Sequence, residues 1–296
     1  MSDTTAGVIH DIGYQRYTGP RLGRAYAVRS LYTHGLRTAF GFGRSAAAKA
    51  FPWAVFGIVM LVAAILTAIR AQSGQNPTTY WEFPLNIVVL IVLFCAVVGP
   101  ELVSRDLRGG VLPLYFSRPI TRSDYALAKY AALASSVFIL LVSPMLLMFV
   151  GGAFSVDNLS AVWTEFVEFS KGVVMAASYG IVFSALSLLV ASLAGRRAVA
   201  AALVVAVFLI TTPVYGTLMG LAYNNSDGEP LTGAALRLSQ LAGLVSPETL
   251  VAGLGDWWYN ARNPLGDYGP LYGAVALGLA AACVLLLLVR YRKVAR

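Results

Sequence analysis

The residue types able to do chemistry are concentrated in one stretch, ELVSRDLRGGVLPLYFSRPITRSDYALAKY, residues 101–130. It gathers Glu101, Arg105, Asp106, Arg108, Arg118, Arg122, Asp124 and Lys129 in a chain of which only 12% is charged. Reactive types elsewhere lack partners. Ser135, Ser136, Ser143 and Ser187 lie in apolar runs with no His or Asp at the same depth, and read as helix-packing residues. Cys95 and Cys283 sit in apolar runs without ligand-like neighbours, as small buried hydrophobes do. GFGRSAAAK, at 41–49, fails the G-x-x-x-x-G-K-[ST] pattern, so the chain has no P-loop with which to bind ATP. No catalytic residue, metal ligand or cofactor-binding residue is assigned. What the charged stretch offers is ion pairing and docking.

The elements that must position this stretch follow from composition. The 296 residues are 58% hydrophobic, with mean hydropathy +0.70. Soluble domains carry about twice the charge and a smaller apolar share. The excess falls in six runs near the ~20 residues that a helix needs to cross a bilayer: Phe51 to Ala71, Phe83 to Gly99, Tyr125 to Val150, Gly172 to Ala194, Ala198 to Ala222 and Pro270 to Val289. In hydrocarbon an open chain satisfies its backbone donors and acceptors only as a helix. The expectation is an all-α polytopic membrane protein with a cytoplasmic arm at 1–50, a six-helix transmembrane domain at 51–290 and a tail at 291–296.

With the N-terminus in the cytoplasm, 18 of the 22 Lys and Arg face inward, leaving Arg70, Lys171, Arg237 and Arg262 outside. Both termini are therefore expected in the cytoplasm of a plasma-membrane protein. The net charge of +8 reflects this bias and attraction to anionic headgroups, with no nucleic-acid partner implied. The first fifty residues hold seven Lys/Arg and no apolar h-region, which predicts no cleavable signal peptide. Arg21 to Phe40 can form an interfacial helix that stacks Tyr32, Leu36 and Phe40, points Arg24, His34 and Arg37 elsewhere and places Arg29 on the apolar face. On the outer side, 223–269 predicts one or two short helices broken at Ser246-Pro247, Ser246 capping the second, with Trp257, Trp258 and Tyr259 at headgroup level.

Between their end turns the six runs contain no Asp, Glu, Lys, Arg or His. Ion-coupled carriers, proton pumps and voltage sensors keep ionisable groups there. Energy must then come from a partner, through the cytoplasmic segment 101–124. Glu101 precedes Arg105 by four residues, the favourable helical pairing order; Gly109 and Gly110 break that helix. VLPLYF, at 111–116, is an apolar cluster too short to span, and Thr121-Arg-Ser-Asp124 fits a capping box that launches the next span. Lys129 lies one turn in, within snorkelling reach of the headgroups. The cluster reads either as a docking element or as a well-capped loop with interfacial aromatics, and composition leaves both open.

The stretch resembles the loop between the second and third spans of ABC-2-type permeases, the membrane subunits of ATP-binding-cassette exporters. The matching residues are Glu101, Arg105, Gly109, Gly110, Leu114, Ser117, Arg118, Pro119, Tyr125 and Lys129. The resemblance implies coupling to a separate ATPase through Glu101, Arg105, Asp106, Gly109, Gly110, Leu114, Tyr115, Ser117, Arg118 and Pro119, beside an interfacial helix carrying Arg24, Arg29 and Arg37. It implies no cofactor in this chain, with ATP and Mg on the partner subunit, and pairing with a second permease copy or paralogue in the lipid. Glu101 would bond either the interfacial helix's arginines or backbone donors of the loop. The expected activity is export of an amphipathic or hydrophobic compound; the alternative is a structural membrane subunit that moves nothing.

Overall fold

The computed structural model describes residues 18–19, 22–117, 119–156, 158–224, 231–259 and 265–294, without the side chains of Ala47, Arg105, Leu107, Arg108 and Val294. It is 84% helical, with no strand among the described residues. Among the described residues, five helices are long and apolar enough to cross a membrane. They are α2 (Ala46–Ser73), α6 (Arg122–Ala153), α7 (Leu159–Leu193), α8 (Arg197–Asn224) and α11 (Gly269–Val294).

The run expected to span from Phe83 to Gly99 is broken. Phe83–Asn86 forms a single turn, α3, and Ile87 leaves helical geometry at φ −113° and ψ 17°. The chain then restarts as α4 (Val88–Arg108), whose apolar part, Val88–Ser104, falls short of the ~20 residues of a full span. Its environment tolerates the break. Ile91, Phe94, Cys95, Leu102 and Val103 are fully buried, and α4 packs against α6, α7 and α8. Non-helical backbone at membrane depth survives where protein rather than lipid surrounds it.

The α6–α7 pair is the spine of the fold. Thr121 and Asp124 form the expected capping box at the start of α6: Asp124 N donates to Thr121 Oγ1 at 3.2 Å, and Thr121 N to Asp124 Oδ2 at 2.9 Å. Helix α7 starts at Leu159, well before the expected Gly172, because Asn158 caps it by accepting from Ala161 N at 2.8 Å. The added turns carry Glu165, Glu168 and Lys171. Gly180 lets the two helices touch: a Cβ there would lie 3.0 Å from the Ala134 carbonyl oxygen.

The end of α2 is clamped to the start of α7, beside the end of α6. Arg70 at the end of α2 donates from Nη1 and Nη2 to the two carboxylate oxygens of Glu165, at 2.5 and 2.7 Å. Tyr80 donates its hydroxyl to Glu165 Oε1. Glu165 is 7% exposed, and Gly152 of α6 leaves the room that Arg70 occupies.

Helix α1 (Arg24–Ala39) is shorter than expected and docks on α6 and α4. Val28, Leu31, Tyr32, Gly35, Leu36 and Ala39 face the protein, and Tyr32 OH donates to Ser135 Oγ at 2.9 Å. Arg29, expected on this face, lies at its edge and is exposed.

Beyond α8, two short helices form, α9 (Gly233–Ala242) and α10 (Pro247–Tyr259). The Ser246 carbonyl accepts the first helical bond of α10, from Leu250 N at 2.8 Å, while its hydroxyl accepts from Thr211 of α8. Asp256 of α10 shares a cavity of about 290 Å³ with Glu82, Trp81 and Tyr272. Burial, then the nearby Glu82 carboxylate, pushes Asp256 up from 3.8 to about 6. A carboxyl raised in the folded state contributes stability that is complete below its unfolded value and lost as pH rises through its folded one. The thermal midpoint of Asp256→Asn should therefore exceed that of wild type at pH 7, and the gap should close as pH falls from about 6 towards about 4. A gap independent of pH would contradict this account.

Candidate functional site

The expected coupling residues converge at one end of the bundle. Helix α4 runs past Glu101 to Arg108 and stops at the Gly109-Gly110 turn, where Gly110 takes φ +60°. A one-turn helix, α5 (Leu112–Phe116), follows, with Pro113 in its first turn where a missing N–H costs nothing. Arg37, Glu101, Asp106, Gly109, Leu114 and Tyr115 line a cleft of about 1130 Å³ between α1, the end of α4 and α5, joined there by Arg44 and Lys129.

Two buried charge groups hold this end together. Glu101, 6% exposed, takes Arg44 on Oε1 and Arg197 on Oε2, the latter at 2.8 Å. Arg44 lies in the turn between α1 and α2, and Arg197 opens α8, so one carboxylate links three segments. Cations are disfavoured at a helix N-terminus, and Glu101 compensates Arg197 for that position. Asp106 takes the Lys129 ammonium at 2.9 Å and the Tyr125 hydroxyl at 2.7 Å on the same oxygen. Lys129 is 4% exposed and lies 5.4 Å from the Tyr125 ring centroid. Rather than snorkelling to headgroups, it is buried in an ion pair.

The apolar cluster 111–116 divides. Leu112 is buried, and Tyr115 and Phe116 pack on Tyr125, which also meets Tyr291 of α11 at 5.2 Å. Leu114 alone of its large side chains turns outward, 69% exposed. Ser117 closes the turn by donating to the Leu114 carbonyl at 2.9 Å, and Pro119 lines a neighbouring groove with Tyr26 and Leu31 of α1. Arg24 reaches from α1 to Asp124, making two hydrogen bonds of 2.7 Å. Arg29 does not line the cleft. Arg118 and the Arg105 side chain lie outside the described residues.

Sequence reasoning missed Arg44 and Arg197. The available signal was the carboxylate itself: Glu101 follows Pro100 at the end of an apolar run, and a buried carboxylate requires cations. The Arg196-Arg197 pair, in a short turn on the same side, was the candidate supply.

Comparison with known families places the chain as a whole. The family described as ABC-2 family transporter protein matches over residues 45–293, which takes in the long helices to within one residue and the whole of residues 101–130. No curated protein matches the chain as a relative. A multi-pass helical bundle with a charged cleft at one end, matched along most of its length, is therefore a member of the ABC-2 transporter family, a membrane component of transport.

Proposed function

We propose that the protein is the permease subunit of an exporter in the plasma membrane, moving an amphipathic or hydrophobic compound out of the cytoplasm with energy from ATP hydrolysed by its partner. The α3–α4 pair crosses as a sixth span, both termini are cytoplasmic, and α1 lies at the inner surface with Arg29 and Arg37 towards headgroups. The observation that carries this reading is the exposed Leu114 on α5 beside the cleft floored by Glu101. An apolar knob, held by a turn whose other large side chains face inward, suits a groove on the nucleotide-binding subunit. Glu101 then passes displacement of α4 to α2 and α8 through Arg44 and Arg197.

Pairing with a second copy or paralogue encloses a path between spans. Their charged residues lie near the ends, leaving an uncharged interior that suits cargo with little hydration to replace. Helices α9 and α10 serve as an outer gate. The test is co-purification: the chain should bring down an ATP-binding subunit, and Leu114→Asp should reduce that yield at least tenfold while the permease still inserts. Undiminished co-purification by Leu114→Asp would remove α5 as the docking element. Normal assembly without cargo flux in vesicles would make the chain a structural subunit.

A further inference from the structure

A second cationic feature lies at the far ends of α7 and α11, apart from the Glu101 cleft. Leu286, Val289, Arg290 and Lys293 fall at i, i+3, i+4 and i+7 of α11, one continuous stripe. With Leu189 and Leu193 of α7 they line a groove of about 450 Å³. Leu193, Leu286 and Val289 are 58%, 56% and 46% exposed. The stripe changes from apolar to cationic along the helix axis, from the span towards its end. Among the described residues, neither Arg290 nor Lys293 pairs with a carboxylate, whereas Arg24, Arg44, Arg70, Lys129, Lys171 and Arg197 all do. The Arg290 Nε is buried and, among the described residues, has no acceptor.

A buried guanidinium N–H without an acceptor is costly, and the Nε edge of arginine is one side of the fork that takes two phosphate oxygens at once. We propose that this groove binds one anionic glycerophospholipid, its phosphate on Arg290 and Lys293 and an acyl chain along Leu189, Leu193, Leu286 and Val289. The order of chemistry along the groove matches the order along the lipid. A free phosphate would use the cations and leave the apolar wall bare, and a zwitterionic lipid would bring its own ammonium to the cations. Arg292 points off the stripe, and its carbonyl accepts from Arg122 at 2.7 Å, holding the end of α11 in place. The inference rests on α7 and α11 spanning the membrane and not on the cargo or its direction.

The test is native mass spectrometry of the full-length protein released from detergent, after exposure to phosphatidylglycerol or phosphatidylcholine of equal chain length. Wild type should retain one phosphatidylglycerol per chain and release phosphatidylcholine. Arg290→Gln/Lys293→Gln should weaken retention roughly tenfold or more. Leu193→Trp, which fills the groove without changing charge, should weaken it as well. Arg237→Gln/Arg292→Gln removes as much charge from exposed positions off the groove and should retain lipid like wild type.

Equal loss in that control would reduce the effect to general surface attraction and overturn the site. So would no preferential retention by wild type, or unchanged retention in the groove variants. Glycerol phosphate binding with the same dependence on Arg290 and Lys293 would overturn the lipid in favour of a soluble anion. Loss of the ATP-binding subunit from Arg290→Gln/Lys293→Gln, with lipid retention unchanged, would assign the cations to an acidic protein surface instead. A chain that proved soluble without detergent would overturn the membrane reading itself, an outcome distinct from all of these.

Discussion

Glu101→Ala is expected to lower cargo-stimulated ATP turnover at least tenfold while leaving the partner's basal hydrolysis intact. The carboxylate is 5% exposed and holds two arginines from two other segments. Removing it leaves Arg44 and Arg197 close together with their shared anion gone, so that Coulomb repulsion replaces attraction. Breaking one side of a buried ion pair costs about 3–5 kcal/mol. The half-exposed Arg197 recovers part of that by turning to water, which leaves the lower end of the range. Even half of it, spent on misplacing α8 relative to α4, suffices for a tenfold effect, since ~1.4 kcal/mol is a factor of ten. Arg197→Ala should be milder because Arg44 still neutralises Glu101. ATP turnover and vesicle transport measured together decide the matter: wild-type values in Glu101→Ala would remove Glu101 from the coupling path.

Glu165→Leu should produce the largest loss of stability of any single substitution at the end of the bundle opposite Glu101, lowering the thermal midpoint by on the order of 10 °C. It strands the Arg70 guanidinium and the Tyr80 hydroxyl, both of which now spend their donors on one carboxylate. Arg70→Leu/Glu165→Leu should recover most of the loss, since replacing both partners with apolar groups removes the unpaired charge. Tyr80→Phe should cost only about 1 kcal/mol, the net worth of one hydrogen bond. Thermal unfolding in detergent of the three variants side by side checks the set. A double variant no more stable than Glu165→Leu would show that the ion pair itself, and not the avoidance of a buried charge, stabilises this end.

The helical class and the positions of the long helices were legible because apolar length and charge placement are properties of single segments. The Thr121–Asp124 cap could be read because it is local in sequence. What failed to show depends on neighbours. Ile87 breaks a run that periodicity alone would continue, and the break persists because Ile87 is buried and α7 packs against both α3 and α4. Lys129 read as snorkelling because its partner, Asp106, lies across a turn of unknown geometry. Arg29 read as lying on the apolar face of α1, and packing against α6 and α4 turned that face so that Arg29 is exposed at its edge. At the candidate site, residue types and their convergence were readable. The pairing of Glu101 with Arg44 and Arg197 was not, since it joins positions 57 and 96 residues away.

The interrupted α3–α4 segment also bears on how the protein is made. With only Val88–Ser104 to offer the bilayer, this segment partitions poorly when it first leaves the ribosome, and its fully buried Ile91, Phe94 and Leu102 find their surroundings only after later helices arrive. An ordered biogenesis is the expected consequence. Nascent chains ending shortly after Arg108 should leave α4 accessible to aqueous thiol reagents at Cys95, and chains extended past Leu193 should protect it; protection in the short chain would mean that the segment inserts unaided.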